Sequence, residues 1–340
     1  MHSPNSDGSG RSGTVDEFAL IRRLRERFAR GPVRLAPGDL GIGDDAAAVT
    51  LRHPGRAVLS TDLVVEGVHV DLALSTPEDI GWKSIMVTVS DLAAMGASAD
   101  YLLLSVAAPP GFAVERLADG VADAAAVCGC AVVGGDLSSA PVLVVSVAVV
   151  GSTPDDGHPL LRRDRARPGD DLVVTGPLGG SAAGRRLLGA AARPRTDGGD
   201  RQGGDDVGGS VGSALVGSHR RPVARLREGV MARTSGVSAA VDISDGLIAD
   251  VVHLAEASGV GVELAVGADV VAPGATRDEA LAGGEDYELV LATADPIGLA
   301  AAFAAVGLRP PVPIGRCTGR PGRFTLDGGA LPPGGWRHRF

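Results

Sequence analysis

Carboxylates standing behind glycines, at the ends of apolar segments, constrain this chain more than any other feature. Gly41-Ile42-Gly43-Asp44-Asp45 runs directly into the β-like stretch Ala46-Ala47-Ala48-Val49, and the theme returns at Asp62, Asp91, Asp136 and at Asp242 with Asp245. Adjacent like charges repel, and a carboxylate at the end of a buried strand is costly unless paired. Glycines on either side let the backbone approach a ligand closely, so a bound cation would make the arrangement favourable. Alone, an Asp-Asp pair beside glycine is more often a solvated turn; the recurrence of the theme is what favours cations.

The chain has 340 residues, 44% of them hydrophobic, enough for a large core and two domains. A net charge of −9 supplies no basic stripe, which argues against sequence-independent nucleic-acid binding. Phosphate ligands would therefore need cations to mediate. The single lysine, Lys83, does not follow a glycine run, and this excludes a Walker-type phosphate loop. Cys128, Cys130 and Cys317 form neither a disulfide framework nor a paired zinc motif and read as buried thiols of a reducing compartment. No segment has the length and apolarity of a signal peptide core or membrane span, so the expectation is a cytoplasmic protein.

Along the chain, residues 1–13 read as a disordered tail. Thr14-Val15-Asp16-Glu17 has the form of a capping box, and Phe18, Ile21, Leu24 and Phe28 follow at helical spacing. Strands are expected at Ala46–Leu51 and Ala57–Ser60, joined at His53-Pro54-Gly55 into a hairpin that returns Thr61 and Asp62 towards Asp44 and Asp45. Glu66 and His69 just beyond read as ligands, substrate contacts or plain rim residues. A helix is expected over Gly81–Met95, with Asp91 off its apolar stripe and in the last turn, where the helix dipole disfavours an anion. Tyr101–Ala107 and Val142–Val150 read as buried strands, Val114–Val127 as a helix, and Ala131-Val132-Val133 as a short strand opening onto Gly134-Gly135-Asp136. The order predicts a mixed or antiparallel sheet with helices on one face, ending near residue 152.

Arg162-Arg163-Asp164-Arg165 reads either as a solvated linker or as a source of guanidinium groups for a nucleotide phosphate. Leu172–Thr175, Gly176–Gly180 and Ser181–Ala192 make a strand, turn and helix without dinucleotide-site glycine spacing. Residues 194–218 read as a flexible inserted loop. Ala239–Asp242 reads as a strand, and Leu247, Ile248, Val251 and Leu254 as the apolar face of a helix capped by Ser244 or Asp245. Free N–H groups at that helix start, beside two acids, would suit phosphate held through metal. Gly283-Gly284-Glu285-Asp286 is a third glycine and acid turn, before the strand at Leu289–Leu291.

Taken together, GIGDDAA at 41–47, STDLVVEGVH at 60–69, SDLAAMGA at 90–97, GGD at 134–136, RPGD at 167–170, VDISDGL at 241–247 and GGEDYEL at 283–289 resemble the thiamine-monophosphate kinase family. Its superfamily also holds aminoimidazole ribonucleotide synthetase, selenophosphate synthetase and a hydrogenase-maturation protein. The resemblance runs from about Phe18 to Phe340 and implies ATP-dependent phosphorylation of thiamine monophosphate to the diphosphate by direct in-line transfer. It implies an α/β and α+β fold of two domains: a mixed-sheet domain over 14–152 that pairs across a homodimer, and an α+β domain over 153–340. By motif, Asp45, Thr61, Asp62, Asp91, Asp136 and Asp242 would hold several Mg²⁺ ions, with Ser60 and Asp245 assisting. Gly135, Arg163 and Ser244 would contact ATP, the arginine being one choice among Arg162, Arg163 and Arg165. His69, Glu285 and Trp336 would contact thiamine monophosphate.

Within the superfamily, selenophosphate synthetase needs a reactive cysteine or selenocysteine with a lysine near its N-terminus, which this sequence lacks. The hydrogenase-maturation protein ends in a modified cysteine, where this chain has His338-Arg339-Phe340. The STDLVVEGVH and GGEDYEL blocks disfavour aminoimidazole ribonucleotide synthetase. A nucleotide-sensing protein that has lost turnover is disfavoured by the intact set of acids.

Overall fold

The computed structural model describes residues 17–42, 46–192 and 209–336. The expected tail, the box at Thr14–Glu17 except for Glu17 itself, Asp44 and Asp45 lie outside them. The first helix, α1, spans Glu17–Phe28.

Four strands form the first sheet: β1 (Ala57–Val65), β2 (Ser98–Ala108), β3 (Ala131–Ser139) and β4 (Val144–Ser152), in the order β1-β4-β2-β3. β4 runs antiparallel to both β1 and β2, and β3 lies parallel to β2, so the sheet is mixed as expected. The hairpin expected over 46–60 does not form. Ala48 makes only an isolated bridge to Leu40, and β1 takes β4 as its partner, with Asp62 opposite Val147. An alanine run is a poor strand former, whereas β4 offers a full-length valine-rich edge with every second side chain buried. β3 also runs straight through Gly134-Gly135-Asp136, where the sequence suggested that the strand ended.

Helix α2 (Pro77–Ala94) begins earlier than expected. Thr76 caps it: the Asp79 N–H donates to Thr76 Oγ1 at 3.2 Å, and the Thr76 N–H donates to Asp79 Oδ2 at 3.3 Å, with Pro77 preset for the first turn. α2 and α3 (Val114–Cys128) cover one face of the sheet, burying Val58, Val64, Val145, Val147 and Val149. The opposite face leaves Leu59, Leu63 and Leu103 exposed at 70%, 54% and 40%. The two helices touch through glycine: a Cβ on Gly81 would lie 2.0 Å from the Leu117 carbonyl oxygen, and one on Gly120 1.8 Å from that of Glu78.

The second half begins with a short 3-10 turn at Arg163–Arg165. Its seven strands are β5 (Asp171–Val174), β6 (Ala239–Asp242), β7 (Gly261–Leu264), β8 (Leu289–Thr293), β9 (Val312–Thr318), β10 (Phe324–Leu326) and β11 (Gly329–Ala330). They form one sheet in the order β11-β10-β7-β9-β5-β8-β6. Helices α4 (Gly180–Ala192), α5 (Ser210–Arg220), α6 (Leu226–Thr234), α7 (Leu247–Ser258), α8 (Arg277–Ala282) and α9 (Pro296–Ala305) complete it. The flexible loop expected at 194–218 is corrected at its end: Ser210–Arg220 form α5, which buries Leu215 with Ala183 and Leu187 of α4. Residues 193–208 lie outside the described set. A helix so rich in glycine and serine has too weak a periodic signal to stand out beside an acidic, glycine-dense neighbour.

α2 joins the halves. Ala93 and Ala94 at its end pack with Val173, Ala240, Leu289 and Phe303 of the second half. Among the described residues no helix is long and apolar enough to cross a membrane.

Candidate active site

A cleft of about 920 Å³ lies where β1, α2, α4 and the loops following β6 and α8 converge. It gathers Asp62, His69, Asp91, Asp242, Ser244, Asp245, Glu285 and Trp336.

Three carboxylates from three elements stand at one end. Strand alternation sends Ser60 and Asp62 of β1 towards α2, on the side of buried Val58 and Val64. The Ser60 hydroxyl donates to Asp91 Oδ2. Asp242 closes β6 at 3% exposure and accepts a 2.8 Å hydrogen bond from the Ser90 hydroxyl. Burial, with Asp91 and Asp242 nearby, pushes the Asp62 carboxyl up to about 7. Burial and Asp91 raise Asp242 to about 6, against the opposing Ser90 hydrogen bond and the Arg163 charge. These shifts describe carboxylates that lack a countercharge of sufficient strength.

Thr61 does not join them. As the residue between Ser60 and Asp62 it points to the opposite face of the sheet, where its hydroxyl donates to the Val147 carbonyl at 3.0 Å. Sequence adjacency suggested grouping; the period of two separates the side chains.

The cap of α7 also differs from expectation. Gly246, at φ 119°, occupies the cap position, and neither Ser244 nor Asp245 caps with its side chain. Instead the Asp250 carboxylate reaches back and accepts the N–H groups of Ser244, Asp245 and Gly246, each at 3.1 Å. These three N–H groups belong to the residues just before the helix, which begins at Leu247. Burial raises Asp250 to about 7, with Asp242 and Asp245 contributing.

At the other end, Glu285 has a left-handed backbone, φ 66°, and its carboxylate forms a 2.6 Å ion pair with Lys83 of α2. His219 of α5 faces the same carboxylate at 3.6 Å and the Ser181 hydroxyl at 3.2 Å. Burial, with Lys83 nearby, lowers this imidazole to about 4, so it is neutral at physiological pH. His69 Nδ1 accepts the Val65 N–H at 3.1 Å, fixing the ring over the turn after β1. Trp336 is half exposed, and its main-chain N–H donates to the Asp245 carbonyl at 3.0 Å. At the start of α4, Asp286 accepts the N–H groups of Gly179 at 2.7 Å and Ser181 at 3.2 Å. Lys83, His219, Asp250 and Asp286 were not legible as site residues. The nearest signal for Lys83 was its solitude in an apolar helix, in register with Val87 and Asp91 at successive fourth positions.

Gly135 and Asp136 stand apart. Both are on β3, the edge of the sheet opposite β1, and both are exposed. Gly135 is required by packing, since at φ 153° a Cβ would come within 1.8 Å of the Leu104 carbonyl oxygen. Arg163 lies outside the cleft lining but its charge acts on Asp242. Arg162 is paired with Asp164, and with Arg165 it lines a separate cavity of about 410 Å³. Asp45 is outside the described residues.

Comparison with known proteins agrees with this architecture. Residues 43–153 match the family described as AIR synthase related protein, N-terminal domain, and residues 167–327 match its C-terminal domain. The chain is 37% identical over 328 residues to thiamine-monophosphate kinase of Mycobacterium tuberculosis, covering 92% of this chain and 88% of that protein. It is 35% identical over 287 residues to the Bacillus subtilis enzyme of the same name, covering 81% and 82%. Among solved structures, thiamine-monophosphate kinase from Stenotrophomonas maltophilia superimposes with a TM-score of 0.77 at 33% identity, covering 93% of this chain and 98% of that one. AaThiL complexed with AMPPCP and TMP superimposes at 0.69 and 31% identity, covering 95% and 97%. With two matching domains, a shared fold and this identity over nearly its whole length, the chain belongs to the thiamine-monophosphate kinase family.

Proposed function

We propose that the protein transfers the γ-phosphoryl group of ATP to thiamine monophosphate, giving thiamine diphosphate. The observation that carries this reading is the division of one cleft into a carboxylate end, Asp62, Asp91 and Asp242, and an end bearing His69, Glu285 and Trp336. The names of the relatives and the AMPPCP and TMP complex of AaThiL support it.

The donor set suits Mg²⁺. Among the described residues none of Asp62, Asp91 and Asp242 forms an ion pair, and the two raised carboxyls call for a cation. Carboxylate oxygens are the ligands that hard divalent cations take, with water and phosphate oxygens completing the shell. Asp62, Asp91 and Asp242 would hold the ions, with Ser60 and Asp245 assisting, and by the family motif Asp45 would be a further ligand. Bound there, the ions would neutralise charge on the phosphates and on the transferring group. The rest falls to the chain. Arg163, Ser244 and Gly135 would bind ATP, and His69, Glu285 and Trp336 would hold the acceptor in line. No general base is required, because the attacking phosphate oxygen is already ionised and positioning does most of the work.

Asp136, Gly135 and the exposed leucines fit one arrangement. A homodimer that buries the open face of the four-stranded sheet would cover Leu59, Leu63 and Leu103 and bring a β3 edge towards the carboxylate end of a second copy. The test of function is product formation from thiamine monophosphate, ATP and Mg²⁺, run beside Asp62→Asn and an EDTA control. Thiamine diphosphate from the native chain alone is expected; no product from folded, ATP-binding protein would refute the reading.

A further inference from the structure

The only lysine of the chain is 3% exposed, on the helix that carries Asp91. Its ammonium group touches two of the three residues assigned above to the acceptor. It pairs with Glu285 Oε1 at 2.6 Å and donates to the His69 carbonyl at 3.5 Å. Those residues come from segments far apart in sequence, the turn after β1 and the loop before β8. The Glu285 segment also needs holding. Glu285 and Tyr287 both have left-handed backbones, φ 66° and 51°, which L side chains adopt only when surroundings impose it.

The geometry of α2 adds a second point. Lys83, Val87 and Asp91 all line the cleft and recur at every fourth residue, so one helical stripe faces it throughout. From Lys83 to Asp91 the helix advances about 12 Å, a rigid spacing between the acceptor end and the carboxylate end. Neutral His219, which faces the other Glu285 oxygen, offers no competing charge at neutral pH.

We infer that Lys83 is a positioning residue. By clamping the Glu285 carboxylate and the His69 main chain it presents the acceptor contacts at a fixed distance from the cation site, and so governs recognition of the acceptor and not of the nucleotide. This rests on the kinase reading above. In this role Lys83 acts through Glu285 and His69. Arginine, with a longer planar head, cannot restore a buried single-point contact of this kind fully.

The experiment is steady-state kinetics of native protein, Lys83→Met, Lys83→Arg, Glu285→Gln and the Lys83→Met/Glu285→Gln double variant, each shown folded by circular dichroism and thermal melting. Lys83→Met is expected to raise KM for thiamine monophosphate by about tenfold or more, while KM for ATP stays within about twofold. Lys83→Arg should recover part of that loss. In the double variant the losses should fall well short of their product, since one clamp is being removed twice. Equal increases in both KM values, or fully multiplicative losses, would overturn the inference while leaving the kinase reading intact. Unchanged KM for the acceptor in folded Lys83→Met would do the same. Absence of product from the native chain would sink both. If Lys83→Met does not fold, Lys83→Arg and Glu285→Gln decide by the same split between the two KM values.

Discussion

Ser90 of α2 donates a 2.8 Å hydrogen bond to the carboxylate of Asp242 at the end of β6, both side chains being almost fully buried. That bond fastens the long helix of the first half to the second sheet at the point where the acids meet. Ser90→Ala leaves a buried carboxylate oxygen without its donor and should cost about 1–3 kcal/mol of stability. Urea denaturation checks the loss. Activity should fall as well, because Asp242 is then free to leave the position it holds beside Asp91.

The acids make stability depend on pH in a definite sense. Asp62 and Asp242 titrate near 7 and 6 in the folded chain, above the ordinary 3.8. The folded state therefore binds protons that the unfolded state has released, and their contribution is full below about pH 4 and is lost as pH rises through 6 to 7. Mg²⁺ competes with those protons. The rise in melting temperature on adding Mg²⁺ should thus be larger at pH 8 than at pH 5.5, and smaller in Asp62→Asn at pH 8. Melting curves at the two pH values, with Mg²⁺ and with EDTA, measure this.

The open face of the first sheet supplies a test of assembly. Leu59 and Leu63 alternate on β1 at 70% and 54% exposure, an apolar surface that a second copy would cover. Leu59→Glu should shift the protein to monomer in analytical ultracentrifugation and lower activity, if the β3 edge serves the neighbouring copy. A native chain that sediments as a monomer would remove the dimer from the proposal.

Close helix packing sets a further expectation. Gly120→Ala places a methyl group 1.8 Å from the Glu78 carbonyl oxygen, forcing α2 and α3 apart. Overpacking of this kind costs about 1–3 kcal/mol. The shift of α2 should also reduce activity, since α2 carries both Lys83 and Asp91. Gly129→Ala is the comparison, its Cβ meeting nothing within 4 Å but its φ of 69° straining the cap of α3. It should lose stability with little change in kcat.

By itself the sequence determined the class of fold, the family and most of the acids. Apolar segments of strand and helix length, punctuated by glycines, specified nearly all the elements, and β4 and α7 lie close to where their periodicity put them. Motif order identified Asp62, Asp91, Asp242, Glu285 and Trp336, which the fold brings to one cleft. Tertiary structure decided what depends on direction and distance. Thr61 and Asp62 are neighbours in sequence but face opposite ways, because a strand sends successive side chains to opposite faces. Neither Ser244 nor Asp245 caps α7, and their own N–H groups are held by Asp250, because a carboxylate one turn into the helix can reach back across Gly246. The Ala46–Leu51 strand was lost to β4, a longer and more apolar partner elsewhere in the chain. Lys83 had no motif around it, and its pairing with Glu285 joins residues about two hundred positions apart. Only the packing of α2 between the two sheets brings them into contact.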